Sequence, residues 1–180
     1  FSPSNGKPSV TPTQDIILGL SYISKERDHA KGEDKVFSNM DEVLVAYEDK
    51  VVDLHARIKL RVDSLYDLNE KKHINLRQII TTTVGRAIFN RILPEGFGFV
   101  NNELKKGNTS ELVTECYKHS GHQRTIALLD DLKRLGFQFA TLGGISIGVD
   151  DLEIPKAKPE VLKEAKAEVA KVEEQYRRGV

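Results

Sequence analysis

The residues with the clearest chemical potential lie in the second half of the chain. Gly144-Ile145-Ser146-Ile147-Gly148 has the G-x-S-x-G spacing of the turn that presents a nucleophilic serine in many hydrolases. That turn needs a strand before the serine, a helix after it, and then an acid and a histidine. Ser146 is followed by "VDDLEIP", which reads as extended chain and then meets Pro155. Asp150 and Asp151 follow the serine, but no histidine follows them in this sequence. A close-packed glycine turn therefore accounts for the spacing better than a nucleophile does.

Cys116, His119 and His122 offer soft and borderline metal donors in C-x-x-H-x-x-H order. On one helix three residues advance about 300°, which keeps Cys116 and His119 neighbours, but six advance about 600° and carry His122 off that face. Only a break at Gly121 would bring it back, and no fourth ligand is evident. A buried cysteine beside two solvent-facing histidines is the simpler reading. Asp150 and Asp151 are adjacent, so in extended chain they face opposite ways and suit capping or salt bridging better than paired acid–base work. His55, Arg57, Lys59 and Arg61 alternate along one strand face as a basic row. It reads as a solvated face, with a phosphate-facing or partner-facing row as the alternative. No phosphate-binding loop, dinucleotide fingerprint or zinc-protease motif is present.

The elements that must position these groups can be read from periodicity. Residues 1 to 12 hold three prolines and three serines and read as loop. Thr13 is the expected N-cap of a helix through Ser24, with Ile16, Ile17, Leu20 and Ile23 inward. Residues 25 to 37 read as loop. Ser38 or Asn39 caps a helix over 41–50, with Val43, Leu44 and Tyr47 inward. "LHARIKLRV" alternates over nine residues and is the strongest strand signal. "NLRQIITTTV" is rich in β-branched residues and reads as a second strand. Gly85 ends it, and Arg86 to Leu93 reads as either strand or short helix. The polar stretch Asp67 to Asn75 reads as an insertion.

Asn108 or Thr109 caps a helix to Ser120 that Gly121 closes; Gln123 to Leu135 is another, ended by Gly136. "FQFATLGGISIG" is ambiguous. Residues 156–178 form the clearest helix, with Pro159 in its first turn and Gly179 at its end. Along it Leu162, Ala165, Val169, Val172 and Tyr176 step by 3 and 4, the a/d seam of a coiled coil. So narrow a stripe needs a partner helix. The expected class is α+β: a small mixed sheet with several helices and a projecting C-terminal helix, half of a coiled-coil hairpin.

Bulk properties bound the function. With 180 residues the chain is long enough to bury a core. Its 27 basic and 27 acidic residues cancel, which argues against autonomous nonspecific nucleic-acid binding. Cys116 is the only cysteine, so no intramolecular disulfide forms, in keeping with a reducing cytosol. No apolar run approaches the roughly 20 residues of a membrane span. The sequence does not start with Met, which suggests a chain processed or cut from something longer.

Five stretches in order resemble the β′ subunit family of bacterial RNA polymerase: "SPSNGKPSVTPTQDIILGLSYIS", "LHARIKLRV", "TTVGRAIFNRILP", "GFQFATLGGISIGVDDLEIPKAK" and "EAKAEVAKVEEQYRRG". The resemblance implies a pore-domain body over 1–155 and, over 156–180, the first arm of the helical hairpin at the rim of the secondary channel. It implies a cytoplasmic, DNA-binding nucleotidyltransferase of transcription, assembled with alpha, beta and omega subunits and not with a membrane. In that setting the region walls the channel for nucleoside triphosphates and for the backtracked RNA 3′ end, and its rim docks transcript cleavage and other secondary-channel factors. Tip residues Glu173, Glu174, Gln175, Tyr176, Arg177 and Arg178 are the partner-binding candidates; Gln14 of "PTQD" and Asn5 of "SNG" are the substrate-proximal ones. For Gln14, helix capping is the rival role. The family's magnesium-holding Asp-x-Asp-Gly-Asp loop has no match here. It is expected before Phe1, and the bridge helix and trigger loop after Val180, so no cofactor is expected in this chain and Mg2+ belongs to the intact polymerase. The runner-up reading is a free-standing interaction protein whose last helix pairs with a partner. The hydrolase reading has its own check: a serine-reactive phosphonate is expected to leave Ser146 unlabelled, and labelling there would revive it.

Overall fold

The alternation of "LHARIKLRV" becomes the middle of a three-stranded sheet. The computed structural model describes Ser4, Gly6 and residues 8–179, except the side chain of Leu76. In chain order the elements are α1 (Asp15–Ser24), β1 (Val36–Phe37), α2 (Met40–Glu48), β2 (Arg57–Asp67), β3 (Lys72–Thr83), α3 (Val84–Asn90), α4 (Lys106–Gly143), a single 3-10 turn (Val149–Asp151) and α5 (Lys158–Arg177). The class is α+β, as expected. The chain divides into two units, Phe1–Ile145 and Ser146–Val180.

In the first unit β2 is central. It runs parallel to β1, with Val36 opposite Lys59, and antiparallel to β3, from Arg57 opposite Thr83 to Asp67 opposite Lys72. Leu54, Ala56, Ile58, Leu60 and Val62 are all buried, so the period-two pattern reports the core face correctly. Ala56, Ile58, Leu60 and Val62 pack with Val43 of α2 and with Val84 and Ala87 of α3, while Leu54 packs with Ile23 and Phe139. The register shifts between Val62 and Ser64, a β-bulge. The polar stretch read as an insertion is the end of a hairpin: Asp67 closes β2, Lys72 opens β3, and Asp67 Oδ1 accepts the Asn69 N–H at 2.8 Å inside the turn. Leu68 in that turn is buried in a second cluster with Tyr66, Phe89, Phe97, Leu112, Cys116 and Leu128. The Tyr66 hydroxyl donates to Glu115 Oε2 at 3.1 Å, joining the hairpin to α4. Burial first, and then that carboxylate, push the Tyr66 phenol up to about 12.

One open reading is decided and several expectations need correction: residues 36–37, read as loop, form β1, and Lys105 rather than Asn108 or Thr109 holds the N-cap position of α4. Thr13 does not cap α1; Gln14 holds the N-cap position and its side chain makes no capping bond. The stretch from Arg86 resolves as helix, because Thr83 caps it through an Arg86 N–H bond of 3.2 Å and Ala87 and Phe89 point into the core. Gly136 does not end a helix. α4 continues to Gly143, its dihedrals non-helical only at Gly121 (φ 74°, ψ −174°), and Gly144 in the left-handed conformation closes it. Gly121 occupies backbone space that glycine alone enters readily, so the predicted break is real. Asn39, one of the two residues expected to cap α2, accepts the Glu42 N–H at 2.9 Å, while the Ser38 N–H before it donates to Glu42 Oε2 at 2.8 Å.

Gly136 continues the helix because it is a contact point. A Cβ there would lie 2.7 Å from Ile16 Cγ2 and 2.7 Å from the Ile16 carbonyl oxygen; one on Gly19 of α1 would overlap the Gly136 carbonyl oxygen. α1 and α4 thus meet backbone to backbone. Gly85 does the same on α3, where a Cβ would overlap the Ile23 carbonyl oxygen. Gly136→Ala is expected to destabilise the chain by about 1–3 kcal/mol through overpacking. Gly107→Ala, with nothing within 4 Å of the new methyl, is expected to be neutral or to stabilise by up to about 1 kcal/mol. Thermal melts of the two variants check the contrast.

Candidate functional site

The chemistry-bearing residues can now be placed one by one. Gln14 stands at the start of α1 with φ 50° and ψ −124°, a conformation uncommon outside glycine that costs on the order of 1–3 kcal/mol. Its side chain is exposed and makes no capping bond, so the capping role weighed for it fails. Asn5 lies outside the described residues.

At the other end, α5 has no buried residue. Glu173, Glu174, Gln175, Tyr176, Arg177 and Arg178 are all exposed, and Arg178 pairs with Glu174 one turn earlier. Arg178 lies just past the helix end, where its backbone N–H donates to the carbonyls of Glu174 and Gln175 at 3.1 Å each. Leu162, Val169, Val172 and Tyr176 of the seam are exposed with them.

The basic row is largely neutralised by the chain itself. Arg57 reaches Glu33 at 2.5 Å, Glu26 at 3.3 Å and Asp28 at 3.9 Å, and Lys59 reaches Asp34 at 3.6 Å. These acids all come from the charged loop before β1. The Glu33 hydrogen bond, foremost, raises Arg57 above its already high value. His55 Nδ1 lies 3.3 Å from the Lys25 carbonyl, and its ring meets Tyr22 edge-on at 4.7 Å. Arg61 instead lines a surface groove of about 440 Å³ with Ser38, Arg91, Glu95 and Phe99. A row half spent on internal pairs is poorly suited to holding phosphates.

The remaining motifs resolve towards structure. Ser146 follows α4 and its left-handed closing residue, so a helix and not a strand precedes it, and the side chain is exposed. The nucleophile elbow is absent. Asp151 Oδ2 accepts the Gly148 N–H at 2.8 Å, pinning the 3-10 turn, which is the capping role expected of that pair. Cys116 is fully buried; burial raises its thiol, and Thr125 Oγ1 donates to its Sγ at 3.9 Å. His119 lies edge-on to Phe97 and tilted against His73, and His122 lies edge-on to Tyr117. Among the described residues no three His, Cys, Asp or Glu side chains gather where they could hold a metal ion.

Sequence reasoning missed a buried polar node. Arg86 Nε donates to the Ser24 carbonyl at 3.0 Å, and its Nη1 to Asn101 Oδ1 at 3.3 Å. Asn101 Oδ1 also accepts Thr82 Oγ1 at 2.7 Å. Ser24 Oγ accepts the Leu104 N–H at 2.9 Å and donates to the Leu20 carbonyl at 2.8 Å. Burial pulls Arg86 below its usual range, with Glu26 and Glu103 opposing. Close by, Asn90 takes the Val100 N–H at 2.6 Å and returns a bond to the Val100 carbonyl at 2.9 Å. The one signal for this was a lone asparagine inside "AIFNRIL". The node fixes the end of α1 and carries no reactive group.

Comparison with known proteins gives the context for this arrangement. The family described as RNA polymerase Rpb1, domain 3, matches residues 1–152. The chain is 42% identical over 182 residues to the DNA-directed RNA polymerase subunit beta' of Stenotrophomonas maltophilia (strain K279a), covering 100% of this chain and 13% of that protein. It is 43% identical over 178 residues to the subunit beta' of Francisella philomiragia subsp. philomiragia, with 98% and 13% covered. Against that of Xanthomonas campestris pv. campestris (strain B100) the identity is 43% over 183 residues, with 100% and 13% covered. The chain therefore spans 13% of the length of these relatives. Since the match takes in the whole of the first unit, this chain belongs to the RNA polymerase Rpb1 domain 3 family.

Proposed function

We propose that this chain serves DNA-templated transcription as part of the largest catalytic subunit of a bacterial DNA-directed RNA polymerase. The observation that carries the proposal is the 42% identity to a subunit beta' along the full chain. The first unit acts as wall of the secondary channel, past which nucleoside triphosphates enter and the backtracked RNA 3′ end leaves. α5 is the first arm of the rim hairpin, which docks transcript cleavage and other channel factors at Glu173 to Arg178. The alpha, beta and omega subunits are the partners of the whole assembly, which works in the cytoplasm.

Two features of the chain support the finer parts. The α5 seam is exposed throughout, Val169 at 57%, as expected of an arm whose return helix belongs to other sequence. Gln14 presents an unspent amide, able to donate and accept, on a strained backbone at the start of α1, which suits contact with a nucleotide or an active-centre loop. The metal chemistry is assigned elsewhere. Asp-x-Asp-Gly-Asp does not occur in the 180 residues, so Mg2+ in the intact enzyme is held by other sequence. This chain's own residues shape and dock; none is proposed to react.

The isolated chain, incubated with template, primer, nucleoside triphosphates and Mg2+, is expected to give no template-directed extension; genuine extension would overturn the proposal. Val169→Asp should separate seam from surface. In the isolated chain the residue is exposed, and the substitution should change stability in a thermal melt by no more than about 0.5 kcal/mol. In the full-length subunit the charge is buried between paired arms, and rim stability and cleavage-factor docking should both fall. Unchanged docking in the full subunit counts against the rim placement.

A further inference from the structure

The second unit contains a feature that neither the seam nor the rim tip explains. No described residue from Ser146 onward is buried. Between Ser146 and Pro155 stand four large aliphatic side chains: Ile147 is 77% exposed, Val149 84%, Leu152 68% and Ile154 72%. Single exposed aliphatics are ordinary, but four within eight residues make a patch of the kind that marks an interaction site. The backbone around them has a set course. The 3-10 turn Val149–Asp151 is pinned by the Gly148 N–H bond to Asp151 Oδ2, with non-helical chain on either side. Ile147 and Val149 stand on either side of the extended Gly148 at the start of the turn, and Leu152 and Ile154 follow its end.

Charge narrows the choice of occupant. Asp150, Asp151 and Glu153 are the only charged residues between Ser146 and Pro155, so the stretch is acidic with no compensating cation. Nucleic-acid phosphates and anionic lipid headgroups both repel such a stretch. A protein groove with an apolar floor and a Lys or Arg rim attracts it. The relatives extend far beyond the matched region, of which this chain is 13%. Sequence covalently joined to the stretch meets it at high effective concentration, without the entropy loss of bringing in a separate molecule.

We infer that Ile147, Val149, Leu152 and Ile154 form a docking strap that seats in an apolar, basic-rimmed groove on the part of the same polymerase subunit lying outside this chain. The inference rests on the reading under Proposed function. It involves residues distinct from the α5 seam, and it gives the segment around the G-x-S-x-G turn an adhesive role in place of a catalytic one.

Thiol accessibility tests it. Ile147→Cys and Ile154→Cys are made in the isolated chain and in the full-length subunit assembled into polymerase, with Ala167→Cys, on the α5 face opposite the seam, as control. Native Cys116 is buried and adds little background. Labelling by a maleimide is followed peptide by peptide by mass spectrometry. The strap thiols should react freely in the isolated chain and at least about tenfold more slowly in the polymerase, while the control reacts freely in both. Asp150→Lys with Glu153→Lys should restore fast strap labelling in the polymerase. Equal strap labelling in chain and polymerase overturns the inference. Protection in the isolated chain that grows with concentration, with a dimer in sedimentation, assigns the strap to a second copy and also overturns it. If the full-length subunit does not assemble with polymerase subunits, the polymerase reading falls and the inference with it; if it assembles and the strap still labels fast, the inference alone falls.

Discussion

Three glycines let α1 come closer to its neighbours than side chains permit, and the first unit is arranged around that approach. Gly19 meets Gly136 of α4, and Gly85 of α3 meets the Ile23 carbonyl. Glycine inside a helix costs roughly 0.5–1 kcal/mol relative to alanine. Here the cost is offset by tight packing. Leu20 and Ile23 are fully buried, each contributing about 1.5–3 kcal/mol relative to exposure. A methyl at either helix crossing would push the elements apart and open the clusters on both sides. The helix whose first residues carry the substrate-proximal candidate is thereby held rigidly at its middle and its end.

That closeness leaves backbone polar groups away from water, and the buried node supplies their partners. Arg86 closes the C-terminus of α1, Ser24 holds the Leu104 N–H, and Asn90 satisfies both backbone groups of Val100. Among the described residues no buried side-chain nitrogen or oxygen is left without a partner. The same economy governs the surface of β2, where the acidic loop after α1 answers the basic row. A strand face that reads in one dimension as a solvated basic row carries ion pairs to the preceding loop in three. The second unit is the opposite case: none of its described residues is buried, so α5 holds its form without a core of its own.

Periodicity was enough to find what depends on neighbours in sequence. The β2 core face, a cap of α2 at Ser38 or Asn39 and the Gly121 break follow from residue type and spacing. Short-range reasoning failed where a distant contact decided. Gly136 looked like a stop because glycine often ends helices, yet Ile16, 120 residues earlier in the chain, explains it. The hairpin turn at Asp67 to Lys72 looked like an insertion because Leu68 is the only core residue within it. Gln14 was singled out from a resemblance, and its unusual dihedrals and unused amide became visible only in the folded chain.

The sequence alone determined the α+β class, the alternating core face of β2 and the existence of most of the longer elements, because these follow from residue type, period and order. It also carried the family in five ordered stretches. Only the tertiary structure decided which charges cancel, which glycines are contacts, and which apolar residues remain uncovered. Those are relations between residues far apart in the chain, and chain order does not encode distance. Ile147, Val149, Leu152 and Ile154 are of the same residue types as the core, and exposure distinguishes them.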